Sequence, residues 1–296
     1  MEFTMFQNCM EAEVRRLVSE GTSVSICSIK KNNGINMQAL CIRDPGEDLS
    51  PLIYLNEFYA RYKEGCPIST LSRQIVERFQ SVRTGNSLPD HFLEDYDAVK
   101  SRIYIKLIHR EKNEDLLANV PYDDFLDLCK VFYYEMDDTF RFNGSITINM
   151  DLLRKWGVDI SRVEDQAFEN CLRDKPAVFR PLSDVLKDYS ETEDLMEAAN
   201  NPALYVLTSR TGIFGASCCC YPDQFAWIGH KLNSDYYILP SSIHECLILP
   251  EDMTYNTDFL KKMVREINRD QVDPQEVLSD NIYHYELLTG CIEIIS

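Results

Sequence analysis

The stretch T-S-V-S-I-C-S-I-K-K-N-N-G-I-N-M-Q-A-L-C-I-R, residues 22–43, decides the class of fold. Val24, Ile26 and Cys27 sit among serines in a first short β-prone run, and residues 35–43 form a second. Asn32-Asn33-Gly34 stands between them, and Asn and Gly readily take the left-handed conformation that tight hairpin turns need. The two runs therefore predict an antiparallel hairpin. Helical patterns flank it. Upstream, Phe3, Phe6, Met10, Val14 and Leu17 recur at helical spacing, with Glu11, Glu13, Arg15 and Arg16 between them, and Gly21 closes the pattern. Downstream, residues 52–55 predict a short third strand and Asn56 the cap of a brief helix. Ile68, Leu71, Ile75, Phe79 and Val82 form the apolar face of a second long helix. Strands joined by local turns, with helices set around them, predict an α+β fold with mixed, mainly antiparallel sheets.

The same reading runs down the chain. Residues 102–110, 125–136 and 144–150 predict strands, with helix the alternative for 125–136, and residues 113–118 and 151–157 short helices. Ser161 with Glu164 three residues on predicts a capping box that opens a helix over 161–171. Residues 84–90 and Asp137-Asp138 read as loops. Residues 204–209 predict a strand and residues 213–221 another, built of small side chains. A helix follows over 222–232, with strands at 236–239 and 243–249. Phe259, Leu260, Met263, Val264 and Ile267 form one apolar helix face, and residues 282–295 a closing hairpin around Thr289-Gly290. The run 184–201 is acidic and weakly apolar, and it ends at Asn201-Pro202. If the chain has two lobes, the break lies here, between an N-terminal α+β lobe, 1–190, and a C-terminal α+β lobe, 191–296; a single domain is the alternative.

Composition limits the function classes. The 296 residues carry 48 acidic against 30 basic side chains, a net charge of −18. Such a surface repels phosphate and anionic lipid, so neither direct nucleic-acid binding nor membrane binding is expected. It suits plain solubility, or docking on a basic partner, up to imitation of DNA. The first residues lack a basic and then continuously apolar leader pattern, and no run reaches the roughly 18 apolar residues of a membrane span. The expected location is the cytoplasm, with the 11 cysteines reduced.

Few residue groups suggest chemistry. Leu239-Pro240-Ser241-Ser242-Ile243-His244-Glu245 packs a nucleophile, a base and an acid into one stretch. On a strand, Ser242 and His244 share one face while Glu245 points to the other, which argues against a catalytic relay. Ser242, His244 and Glu245 are thus weak catalytic candidates, and the competing reading is a structurally bonded strand entry. No metal site is expected. His244-Glu245 lacks a second histidine four residues on, and Cys218-Cys219-Cys220 on a strand would not aim all three sulfurs at one ion. No cofactor is expected either, because residues 210–215 match neither glycine-rich phosphate motif. Lys261, Lys262, Arg265, Asn268 and Arg269, on the polar side of the helix over 258–270, are the binding candidates, either as a solvated face or as a dock for an acidic partner. Tyr283-His284-Tyr285 reads as sheet-face packing.

Several blocks carry a resemblance. They are Pro51-Leu52-Ile53-Tyr54-Leu55-Asn56-Glu57-Phe58-Tyr59, Tyr205-Val206-Leu207-Thr208, Gly215-Ala216-Ser217, the stretch over 237–245, and M-V-R-E-I-N-R-D-Q-V-D-P-Q-E-V-L-S-D over 263–280. Together they resemble the DUF5688 family, bacterial proteins of unknown function seen in gut anaerobes and in part beside mobile elements. The resemblance implies a bacterial origin and one fold over nearly the whole chain. It supplies no activity and no catalytic residues. If the shared blocks mark a site, Ser241, Ser242, His244, Glu245, Asn268 and Arg269 are its polar members.

Three functions are consistent with these residues. The leading one is a non-enzymatic binding or accessory protein that acts on a protein partner. The others are a hydrolase using Ser242 and His244, and an acidic DNA mimic.

Overall fold

The structure is a computed structural model and describes residues 1–46, 52–83, 92–136, 144–189, 204–251 and 256–295. The loops read at 84–90 and at Asp137-Asp138, and the end of the acidic run at Asn201-Pro202, lie outside them. The fold is α+β, with mainly antiparallel sheets. It divides into two compact units, one of residues 1–92 with 136–145, the other of residues 93–135 with 146–296.

In the first unit, α1 (Phe3–Leu17) lies beside the hairpin of β1 (Ser23–Lys30) and β2 (Asn36–Arg43), which pair antiparallel from Ser23–Arg43 to Lys30–Asn36. Asn33 and Gly34 hold the positive φ angles the turn requires, 59° and 68°. The strand β3 (Leu52–Tyr54) pairs with β2, then come α2 (Leu55–Lys63) and α3 (Ile68–Arg83). Phe6, Met10 and Val14 of α1 meet Leu40 and Ile42 of β2 and Leu71, Ile75 and Phe79 of α3 in one buried cluster. These are the positions that helical and strand periodicity assign to the core.

The second unit holds two sheets. The smaller runs β4 (Ile103–His109), β6 (Leu128–Glu135), β5 (Tyr122–Phe125), with β7 (Ser145–Thr147) against β6. The single long strand expected over 125–136 is thus two, split by a turn at Leu126, whose φ is 56°. Two short helices, α4 (Tyr96–Val99) and α5 (Glu114–Leu117), flank β4 in the chain, and α6 (Met150–Trp156) precedes α7 (Ile160–Asp174). The cap of α7 is a correction. Asp159, not Ser161, is the N-cap, and its carboxylate accepts the Arg162 N–H at 2.9 Å. A carboxylate also suits the positive end of the helix dipole. Asp159→Ala should cost about 1 kcal/mol, and Ser161→Ala less than about 0.5. Urea unfolding followed by tryptophan fluorescence checks this, because Trp156 and Trp227 both lie in this unit.

The larger sheet is antiparallel throughout, in the order β13 (Cys291–Ile295), β12 (Ile282–Glu286), β10 (Tyr236–Leu239), β11 (Glu245–Pro250), β9 (Tyr205–Ser209), β8 (Ala177–Pro181). The strands β8 and β9 pair antiparallel as sheet neighbours, from Ala177–Ser209 to Pro181–Tyr205. The helix α8 (Leu182–Tyr189) follows β8. Two further helices, α9 (Gln224–Leu232) and α10 (Thr257–Gln271), pack on opposite faces. Leu260 and Val264 of α10 lie among Tyr237, Leu239, Leu249 and Ile282. On the other face, Tyr236 donates to the Phe225 carbonyl of α9 at 2.9 Å. The strand expected over 213–221 is instead a 3-10 turn, Gly215–Cys220. Phe214 enters it with a positive φ of 52°, and the Ser217 hydroxyl takes up the Phe214 carbonyl at 2.9 Å. Small side chains let this turn lie against β4 of one sheet and β9 and β11 of the other. Among the described residues, no helix is long and apolar enough to cross a membrane.

Candidate functional site

The stretch 239–245 is not a continuous strand. Ser242 forms an isolated bridge with Val277, and β11 begins only at Glu245. Ser242 is buried, and its oxygen accepts the His244 backbone N–H at 3.0 Å. The Ser242 hydroxyl also lies near enough to the Glu245 carboxyl to hold it down, so serine and glutamate meet instead of facing apart. The alternation argument fails because the backbone turns between them. The His244 ring is engaged elsewhere. Its Nδ1 accepts the Phe214 N–H at 3.2 Å, its plane stacks on the Phe214 ring, and Nε2 stands 3.5 Å from Glu276 Oε1. The ring therefore braces the strained entry to the 3-10 turn, and Ser242 faces a backbone amide and a carboxyl, not the imidazole.

Burial holds the Glu245 carboxyl above the ordinary 4.5, with Glu276 adding to the shift while His244 and the Ser242 hydrogen bond oppose it. A raised carboxyl value means the folded state binds this proton more tightly. The stabilisation is complete below the ordinary range and is lost as pH rises through the raised value. Glu245→Gln removes that loss. The stability of the variant relative to the parent should therefore improve as pH climbs from 4 to 7, measured by urea midpoints across buffers.

The three adjacent cysteines lie in the 3-10 turn, where successive side chains spread around the axis. All 11 cysteines are free. Cys219 Sγ lies 3.4 Å from Cys246 Sγ, and that contact together with burial pushes its thiol well up. Burial pushes Cys218 up to about 12. Both are held as protonated thiols, the unreactive form.

The α10 candidates separate. Leu260, Val264 and Asn268 form its buried stripe, whereas Phe259 and Ile267, expected in the apolar face, are exposed. The Asn268 amide donates to the Ser279 carbonyl at 2.8 Å and to Asp280 at 2.9 Å, so it joins the helix to the chain that follows it. Lys262 reaches Glu266 at 3.9 Å, Lys261 reaches Asp258 at 4.0 Å, and Arg269 bonds Asp270. Arg265 and Asp280 attract each other. Local acids offset much of this helix's positive charge.

An open cleft of about 500 Å³ is lined in part by Arg102, Tyr104, Glu135, Asp174 and Lys175. Lys175 is buried and pairs with Glu135 at 2.8 Å, with its ammonium 4.7 Å from the Tyr104 ring centre. Tyr104 donates to Asp174 at 2.9 Å. The charges here answer one another across the cleft.

Two groups were not legible as sites. On one surface, Phe179 of β8 stacks on Tyr205 of β9 at 4.8 Å, and Trp227 of α9 stands edge-on to Phe179 at 5.9 Å. Lys231 places its ammonium 4.8 Å from the Trp227 ring and 5.3 Å from Phe179. Elsewhere on the sheet, Asp235, Glu251 and His284 bring ligand atoms within 4.8 Å of one another. No spacing signal marks either group, because the members come from separate strands and helices.

No curated protein and no solved structure matches the chain. The model of one family, a family of unknown function, matches residues 3–287 and so spans both compact units, in keeping with the sequence blocks that run from Pro51 to Asp280. The chain belongs to the DUF5688 family.

Proposed function

We propose that this chain is a binding protein that takes a protein partner on the surface formed by Phe179, Tyr205, Trp227 and Lys231. The observation that supports this reading is Trp227, 49% exposed yet held in place by aromatic and cationic neighbours. Stacked aromatic side chains lose little conformational freedom on contact, and Trp, Tyr and basic groups are enriched where binding energy concentrates. The surface lies at a sheet edge, since β8 is the last strand in the order. Lys231 offers a positive charge beside the rings, so the partner should present an apolar side chain next to a carboxylate. Lys262, Arg265 and Arg269 of α10, exposed on the opposite face of the sheet, are a separate and weaker contact for an acidic partner. We place this activity in the bacterial cytoplasm, where free thiols persist.

The test is capture from a lysate of the source organism at low salt, with the parent and Trp227→Ala chains side by side. The parent should retain one stoichiometric partner and the variant should retain at most a tenth of it. Absence of a stoichiometric partner would sink the proposal, as would one held equally by the variant. A partner that binds DNA and is displaced by DNA would replace it with the mimic reading.

A further inference from the structure

We infer that Asp235, Glu251 and His284 form a site for a divalent transition-metal cation of the zinc class. The strand register brings them together. Tyr236 of β10 pairs with Pro250 of β11, and Tyr237 pairs with Leu249 of β11 and His284 of β12. Asp235 and Glu251 lie one residue beyond the Tyr236–Pro250 pair, and the Glu251 N–H donates to the Asp235 carbonyl at 2.8 Å. Side chains alternate along a strand, so Asp235 shares a face with Tyr237, Glu251 with Leu249, and His284 with the Tyr237 it opposes. All three ligands therefore project from one face of the sheet, Asp235 and Glu251 at the ends of β10 and β11 and His284 from the middle of β12.

The local bonding orients them as a metal site requires. Asp235 Oδ1 accepts the Leu287 N–H at 2.8 Å, and Glu251 Oε1 accepts the Tyr237 hydroxyl at 3.1 Å. Each carboxylate is thus fixed through one oxygen, which leaves the other for an ion. Glu251 Oε2 lies 3.3 Å from His284 Nε2. Ligands about 2.1 Å from a tetrahedral zinc sit roughly 3.4 Å apart, so this pair already has the spacing, and a ligand oxygen of Asp235 lies within 4.8 Å of both. Among the described residues, no lysine or arginine forms an ion pair with Asp235 or Glu251. One imidazole cannot neutralise two carboxylates, and a divalent cation can. The imidazole nitrogen selects a zinc-like ion over calcium or magnesium, which take shells of oxygen. Three protein ligands leave a position open for water or a substrate oxygen.

The experiment uses the full chain, kept reduced and stripped with chelator. It is titrated calorimetrically with zinc and magnesium, and with cobalt as an absorption reporter. One equivalent of zinc should bind, magnesium should not compete, and the cobalt bands should lack thiolate charge transfer. Asp235→Asn and Glu251→Gln keep the oxygens that Leu287 and Tyr237 bond, so both should fold as the parent does and bind zinc at least tenfold more weakly. The inference is overturned by zinc binding that both variants retain, by a thiolate band that assigns the ion to cysteine, or by no binding at tenfold excess metal.

Discussion

Gly215→Ala should destabilise the second unit by about 3 kcal/mol or more. A Cβ built at Gly215 would run into Thr208 Oγ1 and stand 2.5 Å from the His244 carbonyl oxygen and 2.5 Å from the Ser209 backbone nitrogen. Two of these three atoms are backbone of β9 and of the segment that enters β11, so no side-chain rotation relieves the clash. The Thr208 hydroxyl also donates to the His244 carbonyl at 2.8 Å, and the intruding methyl would break that bond. Overpacking alone costs about 1–3 kcal/mol, and a lost hydrogen bond adds about 1. Because Trp156 and Trp227 both report on this unit, the urea midpoint by tryptophan fluorescence measures the effect directly. A midpoint within about 0.5 kcal/mol of the parent would mean that the turn does not approach β9 this closely.

Asp127→Ala should cost a similar amount, about 3–5 kcal/mol. Asp127 lies in the turn between β5 and β6 and collects donors from the segment around β12. The Ser279 hydroxyl reaches it at 2.6 Å, the Asn281 amide at 2.9 Å, and the Tyr283 hydroxyl bonds its other oxygen. His109 Nε2 stands 3.8 Å away. Ser279 and Tyr283 are buried, and removing the carboxylate strands their donors away from water. Burial, with Asp127 beside it, keeps the Tyr283 phenol protonated and able to donate. Tyr283→Phe removes one donor and leaves the acceptor with two others, so it should cost only about 1–2 kcal/mol. The double variant should be no worse than Asp127→Ala by more than about 0.5 kcal/mol, since the shared bond is lost once. Full additivity would show that the two residues act separately.

The sequence by itself determined the elements whose signals are local. The helix over 3–17, the hairpin around Asn33-Gly34 and the closing hairpin around Gly290 all follow from neighbouring residues, because apolar spacing and left-handed turn residues act over a few positions. Only the tertiary structure decided the rest. Residues 213–221 look β-prone, yet contacts with two sheets bend them into a turn. Alternation along a strand sets Ser242 and Glu245 on opposite faces, yet Ser242 sits in an isolated bridge to Val277 and meets Glu245. In the sequence His284 reads as packing, and its partner Glu251 lies 33 residues away, joined to it by register alone. Register depends on which strands pair, and pairing is a property of the whole sheet that no short window of residues contains.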